Sequence, residues 1–189
     1  IINSPSNPTG GVIPEGELEI LANGLISYPH VAILSDEIYS RIYYRKKKPA
    51  SLLKFEQIRD RLIVLDGWSK TYAMTGWRVG FSLWPQNLID KAIRLAINCH
   101  SCVNSSAQWG ALAALMGPQD EVNKMIAAFD KRRKFIVAEL DSLPGFECRE
   151  PIGAFYVFPN ITGTGKRSQE LQNELLEKAG VATIAGTSF

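Results

Sequence analysis

The chain of 189 residues carries 21 Lys and Arg against 19 Asp and Glu, a net charge of +2, and 46% of its residues are hydrophobic. This apolar content excludes a disordered chain, and the nearly neutral charge gives no reason to expect a nucleic-acid or acidic-membrane partner. No apolar run approaches the ~18 residues that span a bilayer, and the N-terminus lacks the pattern of a signal peptide. We therefore expect a cytoplasmic protein that binds neither nucleic acid nor membranes.

The first half of the chain alternates short β-branched runs with helical patterns, as parallel sheets covered by helices do. After a turn-rich segment, Pro14 opens a helix whose apolar residues recur every three or four positions. A buried strand, VAILSDE (31–37), follows, and a second one, LIVLDG (62–67), ends at a glycine. The strand RVGFSLW (78–84) comes too soon for a helical crossover, so we expect it to be antiparallel.

The second half begins with helical spacing from Pro85 to Leu143 and changes character after Pro144. Three segments there look like strands, namely GFECREP (145–151), GAFYVFPNI (153–161) and VATIAG (181–186). The segment SQELQNELLEKAG (168–180) predicts a helix that ends at its glycine. Together these patterns predict a larger α/β unit followed by a smaller α+β unit.

The three cysteines are too few and too unevenly spaced for a secreted disulfide framework, so we expect reduced thiols. Cys99, His100 and Cys102 lie close together, but a structural zinc site needs four ligands and the sequence offers no second pair. The sequence therefore predicts no metal site.

Four polar residues, Asn7, Asp36, Lys70 and Arg78, each follow a different strand or turn, which is where open α/β sheets place their ligands. Tyr39 lies three residues after Asp36, so the two side chains can point the same way if a helical turn begins there. Alone, each residue is explained equally well as a cap, a turn residue or a surface charge. Together, their amide, acid, phenol, amine and guanidinium can hold a planar, phosphorylated, electron-withdrawing ring.

Three motifs match a known family: NPTG (7–10), SDEIY (35–39) and SKTYAMTGWRVG (69–80). Through them the chain resembles the pyridoxal-phosphate-dependent aminotransferases of class I/II, the aspartate aminotransferase type with fold type I. The resemblance covers nearly the whole chain and implies an α/β fold with a three-layer, mostly parallel sheet flanked by helices. It implies a partial large cofactor-binding domain over residues 1–117, then a connecting helix and a partial small α+β domain over residues 118–189.

The resemblance also implies a role for each candidate residue. Lys70 would form the internal Schiff base with pyridoxal 5'-phosphate and later move a proton between substrate and cofactor. Asp36 would pair with the pyridine nitrogen and keep it protonated, because a carboxylate beside a cation favours the charged form. Tyr39 and Asn7 would hydrogen-bond the phenolic oxygen of the cofactor, and Arg78 would bind its phosphate through two parallel donors.

Two further candidates come from the same resemblance. Many relatives carry a hydroxyl three residues before the lysine, where this chain has Gly67, and Ser69 is therefore the remaining candidate for a second phosphate contact. Phe155 in GAFYVF matches a position beside the substrate, and its explanation as a core aromatic residue is equally good.

The implied activity is transamination between an amino acid and a 2-oxo acid, by a homodimer, because the family's active site lies at a dimer interface. Two alternatives stay open: another fold type I enzyme, such as a C–S lyase or an aminocyclopropane-carboxylate synthase, and the aminotransferase-like effector domain of a transcriptional regulator. Family members are about twice as long, so the resemblance implies a fragment lacking both termini that turns over poorly by itself.

Overall fold

The computed structural model describes every residue from Ile1 to Phe189 and contains one four-stranded sheet. Its strands lie side by side in chain order: β1 (Ile2–Asn3), β2 (Ile33–Asp36), β3 (Leu62–Gly67) and β4 (Gly80–Leu83). The first three are parallel, and β4 runs antiparallel to β3. The predicted orientation of this last strand is confirmed, since the connection after Gly67 is too short for a crossover.

Six α-helices accompany the sheet: α1 (Glu15–Leu25), α2 (Trp68–Thr71), α3 (Ile89–His100), α4 (Ser105–Met116), α5 (Asp120–Asp141) and α6 (Ser168–Ala179). Pro118 lies between α4 and α5, and Gly180 ends α6 with a φ of +65°, which glycine adopts without strain. The mixed, mostly parallel sheet flanked by helices confirms the predicted α/β class. None of the helices combines the length and the apolar character needed to cross a membrane.

The main core holds α1 against one face of the sheet. Ile33, Leu62 and Val64 share that face because side chains alternate along a strand. Leu18 and Ala22 of α1 pack on them, and the cluster is completed by Leu52, Phe55 and Ile58. Full burial of such apolar side chains contributes about 1.5–3 kcal/mol each, so this cluster fixes β2 and β3 beneath the loops that follow them.

Apolar side chains remain exposed on three other elements. The helix α3 buries none of its residues, and all four residues of β4 are exposed. On α4, Ala107 and Ala111 are buried, whereas Trp109, Leu112 and Met116 are 72%, 47% and 77% exposed. These three lie on one side of α4 because they are spaced three and four residues apart.

The strands predicted over 145–151 and 153–161 are wrong: this region forms two isolated bridges, Glu147 with Asn160 and Tyr43 with Gly153. Ala154 has a φ of +54°, which interrupts an extended backbone. Its amide donates to the carbonyl of Ile42 at 2.9 Å, so the segment pairs with a loop rather than with another strand.

The strand predicted over 181–186 is also wrong. The amide of Val181 donates to the carbonyl of Leu175 at 3.0 Å and therefore caps the end of α6. The amide of Ala185 donates to the side-chain oxygen of Gln172 at 2.6 Å. Because these donors are used by α6, the segment forms no ladder and ends in a 3₁₀ turn, Gly186–Ser188.

Candidate active site

The carboxyl ends of the three parallel strands form one edge of the sheet. Asn3 of β1 pairs with Asp36 of β2, and Asp36 pairs with Leu65 of β3. The antiparallel β4 begins at this same edge, where Gly80 pairs with Gly67. All the loops that carry the predicted polar residues therefore leave the sheet on one side.

Asn3 joins two of these loops, and the sequence analysis missed it. Its side-chain oxygen accepts a hydrogen bond from the amide of Asn7 at 2.7 Å. Its side-chain nitrogen donates to the carbonyl of Asp36 at 3.0 Å. The Asn3 side chain thus fixes the start of the NPTG loop relative to the acid at the end of β2.

Asp36 is half-buried at the last position of β2. Its Oδ1 accepts from the amide of Ile38 at 3.2 Å, while its Oδ2 makes no hydrogen bond within the protein. The next residue, Glu37, accepts from Ser51 at 2.9 Å and from the amide of Leu52 at 3.2 Å, so it anchors another loop. Asp36 therefore keeps its Oδ2 unused at the edge, whereas all the hydrogen bonds that Glu37 accepts from the protein go to its Oε1.

Tyr39 is only 3% exposed, and its hydroxyl lies 2.6 Å from that of Tyr156. Burial is the main cause that raises the pKa of Tyr39, and the hydrogen bond with Tyr156 and the charge of Asp36 act in the same direction. A side-chain hydrogen bond with Asn7 acts in the opposite direction. The Tyr39 phenol therefore stays protonated at neutral pH and close to both Asn7 and Asp36.

Lys70 lies on α2, the single helical turn that begins directly after β3. Its ammonium is 6.0 Å from the ring centre of Phe155, and no carboxylate forms a salt bridge with it. The hydroxyl of Thr75 donates to the carbonyl of Ser69 at 2.9 Å and braces the loop that leaves this turn. The amine is thus held half-buried without an ionic partner.

Arg78 is exposed just before β4, with a φ of +53°. Its guanidinium donates to the carbonyl of Thr75 at 3.0 Å, which leaves its other donors unused. Ser69 precedes Lys70 on α2, and its hydroxyl makes no hydrogen bond within the protein. Both residues therefore present unused polar groups, Ser69 directly before Lys70 and Arg78 eight residues after it.

Phe155 brings the second half of the chain to the site. Its ring contacts that of Tyr39 edge-on at 5.6 Å between centres and stacks on Phe129 of α5 at 5.3 Å. With Lys70 on another side, Phe155 contacts two of the predicted site residues and one helix residue. It is 38% exposed, so part of the ring faces open space.

Backbone hydrogen bonds hold this segment against the NPTG loop. The carbonyl of Gly10 accepts from the amides of Ile152 and Gly153 at 3.0 and 2.9 Å. A side chain at Gly10 would clash, since its Cβ would lie 2.3 Å from the Cβ of Pro151, and its φ is +65°. The glycine of NPTG is therefore required by a close approach of backbone.

Arg133 of α5 anchors the same segment from the other side. Its buried guanidinium donates to the carbonyl of Pro151 at 2.8 Å and to Glu150 at 2.5 Å. It also lies 4.6 Å from the ring centre of Tyr44, whose pKa is raised to about 12 by burial. These contacts fix the position from which Phe155 and Tyr156 reach the sheet edge.

Asp66 is a second half-buried acid that the sequence analysis did not single out. It accepts hydrogen bonds from the amide of Gly67 at 2.7 Å and from the hydroxyl of Ser40 at 3.1 Å. Burial nevertheless raises the pKa of this carboxyl above its usual range. Both carboxylate oxygens of Asp66 accept hydrogen bonds from the protein, so this acid has a structural role.

A cavity of about 330 Å³ lies behind Phe155, between α5 and residues 151–157. Most of its lining is apolar, and of the seven predicted site residues only Phe155 contributes to it. The polar groups at the sheet edge therefore face a different space.

The structure thus places six predicted residues at or after the ends of strands on one sheet edge, and Phe155 lies next to two of them: Asn7, Asp36, Tyr39, Ser69, Lys70 and Arg78. It adds Asn3 and Tyr156, which sequence reasoning missed. The sequence gives a weak indication of Asn3, which is a polar residue at a strand end. It gives no indication of Tyr156, because the partner of this residue, Tyr39, is 117 residues away.

Comparison with known proteins shows the family of the chain. All 189 residues match the family model described as aminotransferase class I and II. The chain is 37% identical to the aspartate aminotransferase of Bacillus subtilis and 37% identical to the asparagine–oxo-acid transaminase of Streptococcus mutans, covering 100% of this chain and 49% of each relative.

Solved structures give the same result. The aspartate aminotransferase from Rhizobium meliloti superposes with a TM-score of 0.92 at 34% identity, over 99% of this chain and 50% of that one. The aromatic aminotransferase from Pyrococcus horikoshii superposes with a TM-score of 0.93 at 33% identity, again over 99% and 50%. The chain spans about half the length of the relatives it matches, and over that span it belongs to the class I and II aminotransferase family.

Proposed function

We propose that this protein transfers an amino group between an amino acid and a 2-oxo acid, using pyridoxal 5'-phosphate held at the carboxyl edge of the sheet. One observation carries the proposal: the register of β1, β2 and β3 puts Asn7, Asp36 and Lys70 after three neighbouring strands on one side. The aminotransferase names of the relatives support it over a C–S lyase, an aminocyclopropane-carboxylate synthase or a regulator domain.

The donors and acceptors at this edge fit the cofactor's chemistry. Asp36 keeps one carboxylate oxygen free, Lys70 carries an amine without an ionic partner, and Tyr39 and Asn7 offer a hydroxyl and an amide side by side. Such a set can satisfy the nitrogen, the aldehyde and the phenolic oxygen of one ring. When bound, the cofactor supplies an electron-withdrawing ring that stabilises negative charge on the substrate α-carbon.

Lys70 is assigned two tasks. Its Nζ would hold the cofactor covalently, and as a free amine it would move a proton between the substrate α-carbon and the cofactor. An amine suits both tasks only when it is free of a tight ion pair. The position of Lys70, half-buried beside Phe155 and without a salt bridge, supports this assignment.

Asp36 is assigned to the pyridine nitrogen. A carboxylate next to a protonated nitrogen stabilises the cation and so increases the electron demand of the ring. The amide of Ile38 orients the carboxylate through Oδ1 and leaves Oδ2 for this contact. The task of Asp36 is therefore electrostatic.

Tyr39 and Asn7 are assigned to the phenolic oxygen, where two donors stabilise negative charge. Arg78 is assigned to the phosphate, because its planar guanidinium has donors left after the contact with Thr75. Ser69 adds an unused hydroxyl next to Lys70. Phe155 is assigned to the wall beside the substrate, since part of its ring is open.

Three broader features belong to the same proposal. Residues 1–117 form part of the large cofactor-binding domain, and residues 118–189 form the connecting helix and part of the small domain. The protein acts as a homodimer, which the exposed apolar residues of α4 support. It works in the cytoplasm, a reducing compartment that suits the exposed free thiols of Cys99 and Cys102.

The test measures both the visible absorption of the bound cofactor and the formation of the 2-oxo acid product. Purified protein mixed with pyridoxal 5'-phosphate should turn yellow, and its slow conversion of an amino acid to the 2-oxo acid should require a second 2-oxo acid. Lys70→Ala should abolish both signals, and Lys91→Ala, an exposed lysine on α3, should leave both unchanged. Equal colour in Lys70→Ala contradicts the lysine assignment, and release of free ammonia without an acceptor indicates a lyase.

A further inference from the structure

Tyr156 makes a polar contact for which the proposed reaction has no assigned use. Its hydroxyl is 2.6 Å from the hydroxyl of Tyr39, and the two rings meet edge-on at 5.7 Å between centres. Tyr39 is buried, and Tyr156 is half-buried on the segment fixed by Gly10 and Arg133. The contact is therefore built from two rigidly held side chains.

A phenol has one hydrogen to donate and can accept others at its oxygen. In the pair, one hydroxyl must donate and the other must accept. Tyr44, the neighbouring half-buried phenol, donates to the carbonyl of Ala154 at 2.5 Å and is not available to either. When Tyr156 donates, the hydrogen of Tyr39 is left for a third group on the side of Asn7 and Asp36.

We propose that Tyr156 is a positioning residue whose hydroxyl donates to Tyr39 and so directs the Tyr39 hydrogen towards the phenolic oxygen of the bound cofactor. This inference rests on the proposed function. A hydroxyl that accepts one hydrogen bond is a stronger donor in the next, because the bonds in a chain polarise one another. Tyr156 therefore strengthens the stabilisation of the cofactor's phenolate without touching the cofactor.

The charged groups around the pair determine what a pH titration reports. Asp36 acts on Tyr39 from the end of β2, and the Lys70 ammonium lies 6.0 Å from the ring centre of Phe155, which contacts both tyrosines. Because burial raises the pKa of Tyr39, this phenol stays a donor over the range in which the lysine-bound cofactor titrates. A change in the apparent pKa of that visible band therefore measures the strength of donation to the phenolic oxygen.

The variant Tyr156→Phe keeps the ring contacts and removes only the hydroxyl. It should raise the apparent pKa of the lysine-bound cofactor band by about half a unit, because a weaker donor stabilises the phenolate less. Tyr39→Phe should raise it by more than one unit, since a hydrogen bond to a charged group is lost outright. Tyr28→Phe, which removes an exposed hydroxyl that makes no hydrogen bond within the protein, should leave the pKa of the cofactor band unchanged.

The double variant Tyr39→Phe with Tyr156→Phe separates positioning from a general structural effect. Because Tyr156 acts through Tyr39, the double variant should have the same pKa as Tyr39→Phe alone. An unchanged pKa in Tyr156→Phe, or additive shifts in the double variant, overturns the inference while the proposed function stands. Absence of any Lys70-dependent band in the wild-type protein overturns the proposed function and this inference with it.

Discussion

At the scale of single residues, the site depends on neutral side chains that hold the charged ones in place. Asn3 bonds to both the Asn7 loop and the carbonyl of Asp36, and Ser40 with Gly67 occupies both oxygens of Asp66. Asp36 and Asp66 thus lie near the same edge of the sheet but differ in their hydrogen bonding. Asp36 has an oxygen free for a ligand, and Asp66 has none.

This difference predicts that Asp36 affects catalysis more than cofactor affinity. Asp36→Asn keeps the acceptor for the amide of Ile38 but removes the charge, so kcat should fall by about a hundredfold or more. The dissociation constant of the cofactor should change by less than about tenfold. The exposed Asp60→Asn serves as the control, and an unchanged kcat in Asp36→Asn would refute the electrostatic role.

Asp66 predicts a pH-dependent effect on stability. Because burial raises its pKa, the folded protein binds this proton more tightly than the unfolded chain, whose Asp titrates near pH 4. The carboxylate therefore opposes folding most at neutral pH, and this cost disappears as the pH falls through the raised pKa. Asp66→Asn removes the titration, so its free energy of unfolding relative to wild type should decrease from pH 7 towards pH 4.

Urea unfolding at several pH values measures this difference directly. The exposed Asp60→Asn should show no comparable trend. A relative stability of Asp66→Asn that increases as the pH falls has the wrong sign for a raised pKa and contradicts the account.

At the scale of elements, the contact between β3 and β4 explains Gly67. A Cβ at this position would lie 2.8 Å from the Cα of Gly80 and 3.2 Å from the carbonyl oxygen of Val79. Both obstacles are backbone atoms, one in the first residue of β4 and one in the residue before it, so the two strands would have to separate. The hydroxyl expected from the family resemblance at this position does not fit between these strands.

Gly67→Ala should therefore destabilise the protein by about 1–3 kcal/mol, as overpacking does elsewhere. Gly76→Ala is the matched control, because its Cβ would meet nothing within 4 Å. Urea unfolding compares the two variants, and equal stability would show that β4 can move away from β3 freely.

The elements also show how far the sequence could predict this fold. Local patterns predicted β2, β3, β4 and the helices other than the short α2, because periodicity and strand-end glycines are properties of the sequence nearby. The strands predicted over 145–161 and 181–186 did not form, because their hydrogen bonds go to distant partners such as Gly10 and Gln172. The spacing of residues within a segment does not show which distant residue its backbone groups will bond to.

The same distinction applies to the site. The rule that ligands bind at strand ends brought Asn7, Asp36 and Lys70 together, because it follows from topology. Tyr156 could not be found in this way, since its contact with Tyr39 depends on how the second half of the chain docks.

At the scale of the whole molecule, the apolar stripe on α4 predicts how copies associate. Trp109, Leu112 and Met116 are exposed on one side of the helix, and a second copy would bury them. Trp109→Glu should weaken dimerisation at least tenfold, because a charge replaces a large aromatic contact. Sedimentation velocity over a range of concentrations measures this dissociation constant.

Gln169→Glu on α6 adds the same charge at another exposed position and should leave dimerisation unchanged. A wild-type protein that stays monomeric at all concentrations, or equal effects of the two variants, would exclude α4 as the interface.

The assignment of Lys70 as the residue that holds the cofactor is the centre of this account. Sodium borohydride fixes a lysine-bound aldehyde as a stable secondary amine, so peptide mapping by mass spectrometry locates the attached lysine. The account predicts that the cofactor mass is found on the peptide containing Lys70 and on no other. Attachment at a different lysine, or at several with equal yield, would contradict it.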